Sequence, residues 1–190
     1  MWPSLSRLLP LLALLAAGHP AMAQDPPVAP PPSAKPDPAA STEPSVTTAT
    51  YGDWLLRCTP KPNSEAGDRI CEVSQGIQLE NRGLIAQVVF GRVAKDDPLR
   101  MVVQLPLGTW LPPGAELFLD DKGERGLPAP FTICLQSCFA NVEVPVDFQA
   151  DLEKASGQGR LAYVDNTRKQ IVLPVSFQGL KAALDADKAR

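Results

Sequence analysis

Two cysteines four positions apart constrain the fold of this chain more than any other feature of its sequence. Cys134 and Cys138 lie where two short apolar runs meet, within residues 131–140. Apolar runs that meet at a compact turn predict a β-hairpin. Residues on the two sides of such a turn face each other, with Cβ atoms close enough for a disulfide. The stretch therefore predicts a disulfide-bonded hairpin in an oxidising compartment.

A second pair of cysteines, Cys58 and Cys71, flanks a turn region at residues 59–69. In an exported chain, four cysteines predict two disulfides and no free thiol. Three connectivities are open to four cysteines, and loop-closure entropy does not favour the local ones, because disulfides that close longer loops stabilise more. Geometry favours the local pairs Cys58–Cys71 and Cys134–Cys138, since each pair flanks one turn.

The N-terminus has the three parts of an export signal. Arg7 is the only charge before an apolar run at residues 8–17, and Ala21-Met22-Ala23 supplies a small-x-small cleavage site. The apolar run is too short to span a bilayer. We therefore predict a signal peptide at residues 1–23 and a periplasmic, cell-surface or secreted protein. After cleavage, the chain is not expected to be an integral membrane protein.

Histidine is absent from the predicted mature chain, because the only histidine, His19, lies in the signal. Its absence excludes Ser-His-Asp and Cys-His catalysis, HExxH zinc sites and imidazole proton shuttles. The net charge of −3 is ordinary, and no run of lysine or arginine suggests nucleic acid as a partner. The sequence thus predicts no catalytic residue, no metal site and no cofactor.

Residues 24–50 are rich in proline, alanine, serine and threonine and contain no aromatic residue or glycine. Such a composition buries too little apolar area to offset the entropy of ordering, which predicts a disordered Pro/Ala-rich linker. A single domain is expected at residues 51–187, beginning at Tyr51. Its short apolar segments and frequent turns predict a mainly β fold, an antiparallel β-sandwich or barrel-like domain with one or two short helices.

Two nearly continuous apolar runs, at residues 84–93 and 99–105, are the strongest strand candidates and predict a central hairpin. A second pair of strands is expected at residues 160–164 and 170–175. The helical spacing after Asp147 predicts a helix capped by that residue, and Ser176 is the expected cap of a short final helix.

Redox and acid–base chemistry are both disfavoured by the residues that would carry them. Cys134 and Cys138 enclose three residues in a strand-like context, unlike the thioredoxin-type motif at a helix N-terminus, so a structural disulfide is favoured. The aspartate pairs at 96–97 and 120–121 lie in predicted turns. Solvated turn residues are therefore favoured over a glycosidase-like carboxylate pair.

Tryptophan offers the candidate binding residue. Trp54 lies in a predicted strand and is expected in the core, whereas Trp110 lies among glycines and prolines on a predicted loop. Core packing is the favoured interpretation for Trp110 as well, but of the two rings it is the better candidate for an exposed contact.

Several short motifs follow one another along the predicted domain. They are Tyr51-Gly52-Asp53-Trp54 with Cys58, Cys71-Glu72 with Gln75, Leu105-Pro106-Leu107-Gly108, Cys134 with Cys138 and Ala140, and Pro174-Val175-Ser176-Phe177 with Gly179 and Ala182-Ala183-Leu184. Together they resemble the invasion-associated locus B family, exported proteins of alphaproteobacteria. The resemblance covers the whole predicted domain, with Ser137 standing where a glycine is expected before the last cysteine.

The resemblance implies a periplasmic or surface protein linked, in pathogenic members, to entry into host cells. It implies no catalytic residue. The favoured hypothesis is therefore an exported non-enzymatic binding or envelope-accessory protein, with a protein or envelope component as its partner. The alternatives are a periplasmic thiol-disulfide protein and a hydrolase that works without histidine.

The position of signal cleavage gives a direct test of the export prediction. We expect the exported protein to begin at Gln24, because cleavage should follow Ala23. Intact-mass measurement of protein recovered from the periplasm checks this. A mass that retains residues 1–23 would instead identify the apolar run as an anchor.

Overall fold

The structure, a computed structural model, describes residues 46–63 and 68–189. The predicted signal peptide and the predicted linker as far as residue 45 lie outside the described residues. In the part of the chain that is described, no helix is both long and apolar enough to cross a membrane.

The described residues form two antiparallel β-sheets and two short helices. The elements are β1 (Thr47–Tyr51), β2 (Trp54–Pro60), β3 (Arg69–Leu79), β4 (Gly83–Gly91), β5 (Arg100–Leu105), β6 (Thr109–Trp110), β7 (Ala115–Phe118), β8 (Gly126–Ala129), β9 (Phe131–Cys134), β10 (Cys138–Glu143), α1 (Val146–Leu152), β11 (Gln158–Asp165), β12 (Gln170–Ser176) and α2 (Leu180–Lys188). The large sheet has the order β1-β2-β3-β4-β5-β10-β9. The small sheet has the order β12-β11-β7-β8, and β6 pairs with β11. The predicted mainly β, sandwich-like fold is confirmed, and the sheets do not close into a barrel.

The central hairpin forms as predicted, from β4 and β5. Along both strands, buried and partly exposed residues alternate, as expected when one face of a sheet covers a core. Val88 opposite Val103 and Phe90 opposite Met101 are fully buried pairs. The predicted strand pair near the C-terminus also forms, as β11 and β12.

The core lies between the inner face of the large sheet and a layer made of the small sheet and α2. β12 contacts β3, β8 contacts β5 and β10, and α2 contacts the first three strands. Trp54 of β2 packs against Phe90, with ring centroids 5.7 Å apart. Leu180, Ala183 and Leu184 bury one face of α2. Sheet and helix thus share the burial of a single apolar core.

The first strand begins four residues before the predicted start of the domain at Tyr51. Residues 47–50, assigned to the linker by their composition, form most of β1 and pair with β2, from Thr47 opposite Cys58 to Tyr51 opposite Trp54. Threonine is β-branched and suits a pleated, half-buried strand. The segment therefore adds a strand to the large sheet although it carries few apolar side chains.

Both helices begin at other residues than predicted. Pro145 is the N-cap residue of α1, and Asp147 lies in its first turn, where its carboxylate accepts a hydrogen bond from Arg125. The final helix begins after Gly179, three residues later than a cap at Ser176 would place it. At the first boundary proline fixes φ, and at the second glycine tolerates the left-handed φ of 89°.

One buried amide side chain, Gln75 of β3, joins the two sheets. Its Nε2 donates to the backbone oxygen of Ser176 at 3.0 Å, and its Oε1 accepts from the backbone nitrogen of Ser176 at 3.0 Å. The indole nitrogen of Trp54 donates to the same Ser176 oxygen at 2.8 Å. The end of β12 in the small sheet is therefore held by side chains from two strands of the large sheet.

Two glycines allow the backbone at residues 51–53 to approach the backbone at residues 178–179 closely. Gly52 and Gly179 have φ of 56° and 89°, in the left-handed region that favours glycine. A Cβ atom at position 179 would lie 2.0 Å from the backbone oxygen of Tyr51. Beside it, the backbone nitrogen of Asp53 donates to the oxygen of Gln178 at 3.1 Å. We call these contacts, together with those of Gln75, Trp54 and Ser176, the inter-sheet junction.

Replacing Gly179 tests the inter-sheet junction. We expect Gly179→Ala to lower the free energy of unfolding by about 3 kcal/mol or more, because it combines a strained φ with a backbone clash. Gly83→Ala is the matched control, since Gly83 has φ of 68° but a Cβ atom added there would meet nothing within 4 Å. That variant should lose only about 1 kcal/mol. Equal losses in urea denaturation would contradict the proposed role of the close approach.

Truncation at the N-terminus tests the role of β1. We expect a chain that starts at Val46 to melt at the same temperature as one that starts at Gln24, because the linker composition lacks core-forming residues. A chain that starts at Gly52 lacks β1 and should melt several degrees lower. Calorimetry of the three chains checks both expectations. A lower melting temperature already at Val46 would show that the preceding residues stabilise the domain.

Candidate functional site

The four cysteines form two cross-strand disulfides in the structure. Cys58 of β2 is bonded to Cys71 of β3, and Cys134 of β9 is bonded to Cys138 of β10. The partners face each other directly in the strand register, and each pair has a Cα–Cα distance of 4.0 Å. No free cysteine remains among the described residues. Each bond therefore links two neighbouring strands of the large sheet.

The aspartates at 96–97 and 120–121 lie in turns, where the sequence placed them. Asp97 Oδ2 accepts the backbone nitrogen of Ala94 at 2.9 Å. Asp120 accepts four backbone N–H groups, those of residues 122–125, and so closes the turn between β7 and β8. Desolvation raises the pKa of Asp120, but the four hydrogen bonds together outweigh it and hold the pKa below its ordinary value. The carboxylates of Asp97 and Asp120 therefore stabilise the backbone of their own turns.

Other carboxyl groups are shifted in the same direction. A hydrogen bond from Arg125 lowers the pKa of Asp147, and one from Lys188 lowers that of Glu153. The Thr167 hydroxyl, helped by the backbone of residue 169, lowers the pKa of Asp165. The carboxyl groups of Asp120, Asp147, Glu153 and Asp165 therefore stay ionised to lower pH than is usual for these residues. In the described residues, no group of three or more histidine, cysteine, aspartate or glutamate side chains is placed to hold a metal ion.

Trp110 lies at the edge of the small sheet and is half-buried. It belongs to the two-residue strand β6 and pairs with Val164 of β11, so the loop predicted from its glycine and proline neighbours is replaced by a short strand. The backbone nitrogen of Asn166 donates to the oxygen of Gly108 at 2.7 Å and fixes this pairing. Trp54, in contrast, is fully buried, as its strand position suggested.

Arg168 lies over the ring of Trp110. Its guanidinium carbon is 3.5 Å from the centre of the ring, a cation–π arrangement. Arg168 has a φ of 67° in the turn between β11 and β12, and the carboxylate of Asp165 holds this turn through the backbone nitrogens of Thr167 and Lys169. We call this pair the Trp110–Arg168 stack. The sequence contains no signal for it, because the two residues meet only through the pairing of β6 with β11.

A groove of about 240 Å³ lies at one end of the large sheet, beside the tip of the β9–β10 hairpin. Its lining residues are Leu84, Ile85, Ala86, Gln87, Gln104, Leu105, Pro106, Leu107, Gln136 and Ser137. Leu84 and Leu107 are 56% and 60% exposed, and Leu135 at the hairpin tip is 69% exposed. None of the lining residues is charged. In the sequence, the feature that could have indicated this groove is the absence of charged residues from 101–115 and 131–140.

A larger cavity of about 590 Å³ lies at the Cys58–Cys71 end of the domain. Charged side chains of both signs line it, and Arg92 and Asp187 form an ion pair there at 3.2 Å. This pairing of opposite charges matches the structural salt bridges found elsewhere in the domain.

Comparisons with known proteins agree with this architecture. The family model for the invasion associated locus B (IalB) protein matches residues 54–188. The crystal structure of invasion associated protein b from Bartonella henselae is similar, with a TM-score of 0.63 and 18% sequence identity over 75% of this chain and 95% of that chain. At this identity, the likeness shows the fold alone. Among curated proteins, none matches this chain. The match of the family model over most of its length shows that the chain belongs to the invasion associated locus B family.

Proposed function

We propose that this chain is an exported, non-enzymatic binding or envelope-accessory protein that works in the periplasm or at the cell surface. In a pathogen, its binding would contribute to the interaction with host cells, in keeping with the family name. The N-terminal signal pattern and the two disulfides support export. The observation that carries the binding role is the Trp110–Arg168 stack at the edge of the small sheet.

Tryptophan and arginine are among the residues that contribute most to binding energy at protein interfaces. In the Trp110–Arg168 stack, the guanidinium lies against the face of the ring, and the Asp165 carboxylate holds the backbone of the turn that carries Arg168. Side chains that are already ordered lose less entropy when a partner binds. The stack is therefore a preorganised contact of the kind that an interface requires.

The charges of the domain favour binding over the alternative of a hydrolase without histidine. Such an enzyme needs a carboxyl group with a raised pKa as its general acid. The pKa values of Asp120, Asp147 and Asp165 are shifted the opposite way. The alternative of a thiol-disulfide protein is disfavoured by the place of its cysteines, which lie in paired strands and not at a helix N-terminus, where thiol pKa values fall.

Substitution of Trp110 tests the binding role. We expect Trp110→Ala to reduce the amount of partner captured by crosslinking in native-cell envelope extracts at least tenfold, because it removes the ring and leaves Arg168 unstacked. The loss of stability should be about 1–2 kcal/mol, well below the roughly 3–5 kcal/mol of a core tryptophan. Arg168→Ala should weaken capture in the same direction and to a smaller extent.

Val172→Ala is the control, since Val172 is 47% exposed on β12 and lies outside the stack. It should leave capture and melting unchanged. If Trp110→Ala destabilises the domain as strongly as a core substitution, Trp110 is a packing residue and the stack is not the binding contact. Unchanged capture by a stable Trp110→Ala protein would also overturn the assignment.

A further inference from the structure

The last strand of the large sheet, β9, has no neighbouring strand on its outer edge among the described residues. Exposed strand edges pair readily with other chains, and proteins usually protect them with proline or charge. The small sheet follows this rule, because its edge strands β8 and β12 contain Pro128 and Pro174. β9 contains neither proline nor charge, and its Ile133 is 50% exposed.

The opposite edge of the large sheet, β1, differs from β9 in the side chains that it exposes. Its exposed residues are Thr48 and Thr50, whose side chains are polar, and the strand also contacts α2. An open edge with an exposed apolar side chain is therefore found at β9 and not at β1.

Strand register places Ile133 at the end of a row of side chains. Ile133 faces Phe139, Phe139 faces Gln104, and Gln104 faces Gln87. Directly opposite residues project from the same face of a sheet, so these four side chains cross the outer face from β4 to β9. We call them the outer row. A further strand paired with β9 would place one of its side chains beside Ile133 and extend the outer row.

The groove beside the hairpin tip adjoins the outer row, since Gln87 and Gln104 belong to both. Gln104 Nε2 donates to the hydroxyl of Ser137 at 2.9 Å, which fixes one wall of the groove. Neither the groove nor β9 contains a charged residue. A charged ligand would lose hydration there without gaining a counter-charge. The chemistry of this surface therefore fits an uncharged occupant.

The surface formed by β9 and the groove is small, which favours a short segment of polypeptide as its ligand. The groove has ten lining residues and β9 has four. A stable pair of folded proteins uses about 20–30 residues on each side. A second copy of this chain, held by this surface alone, would fall short of that size, whereas an extended segment needs only a strand edge and pockets for alternate side chains.

We propose that β9 is a strand-addition site for an extended, uncharged segment of a partner polypeptide. The segment pairs its backbone with the open edge of β9, and its apolar side chains, at every second position, lie beside Ile133 and extend the outer row. This inference rests on the proposed binding function and adds to it the class of ligand.

A short peptide of alternating valine and threonine, capped at both ends, is the probe. We expect it to bind the oxidised mature chain and to shift the amide NMR signals of β9 and β10. The same peptide N-methylated at every second residue keeps all its side chains but loses the hydrogen-bond donors of one edge. It should bind at least tenfold more weakly if backbone pairing holds the segment.

Two substitutions place a charge on the site. Ile133→Lys and Leu135→Lys should each weaken peptide binding at least tenfold, because a lysine protects an open edge against pairing. Two variants are used so that a folding defect in one does not decide the result, and melting curves verify both folds. Val172→Lys is the matched control, since Val172 is 47% exposed on an edge strand that contains proline. It should leave peptide affinity unchanged.

The proposal is overturned if the peptide does not bind, if its N-methylated form binds equally well, or if folded Ile133→Lys and Leu135→Lys proteins keep full affinity. A chain that dimerises in sedimentation experiments and becomes monomeric on Ile133→Lys, without binding the peptide, would identify a second copy as the occupant and also overturn it. Failure here with capture still dependent on Trp110 removes only the strand-addition site. Loss of both results removes the binding function itself.

Discussion

The arrangement of the two sheets depends on one amide side chain of the large sheet, which forms hydrogen bonds with backbone groups of the small sheet. Gln75 supplies both a donor and an acceptor to Ser176, and Trp54 adds a second donor to the same oxygen. Buried backbone groups left without partners cost about 1–3 kcal/mol each, so this end of β12 has one low-energy position over the large sheet. The chain then turns at Gly179 into α2, which packs against β1, β2 and β3.

Much of the fold can be predicted from patterns of residues that are close together in the sequence. The apolar runs that form β4 and β5, and the turn between Cys134 and Cys138, are recognisable because both partners lie close together in the chain. The inter-sheet junction has no such signal. Gln75 and Ser176 are 101 residues apart, and a glutamine in an alternating strand is equally suited to a solvated face. The family motifs include these residues without giving the physical reason why they meet.

The same distinction applies to the candidate sites. Trp110 stands out by residue type and by its glycine and proline neighbours, yet its partner Arg168 is supplied by a turn between two later strands. In the sequence, Ile133 is one apolar residue of a predicted hairpin, and its exposure follows from the position of β9 at the end of the strand order. Edges and faces are properties of the assembled sheet, so periodicity within one strand does not reveal them.

Both disulfides join cysteines that are consecutive in the chain, with separations of 13 and 4 residues. A polypeptide that crosses a membrane N-terminus first exposes Cys58, then Cys71, then Cys134 and Cys138. For Cys58 and for Cys134, the next cysteine to emerge is therefore the native partner. Oxidation in order of emergence yields the native connectivity directly, whereas interleaved pairings require reshuffling that takes seconds to hours. This order of pairing is consistent with the proposed export, because the disulfides would then form without rearrangement.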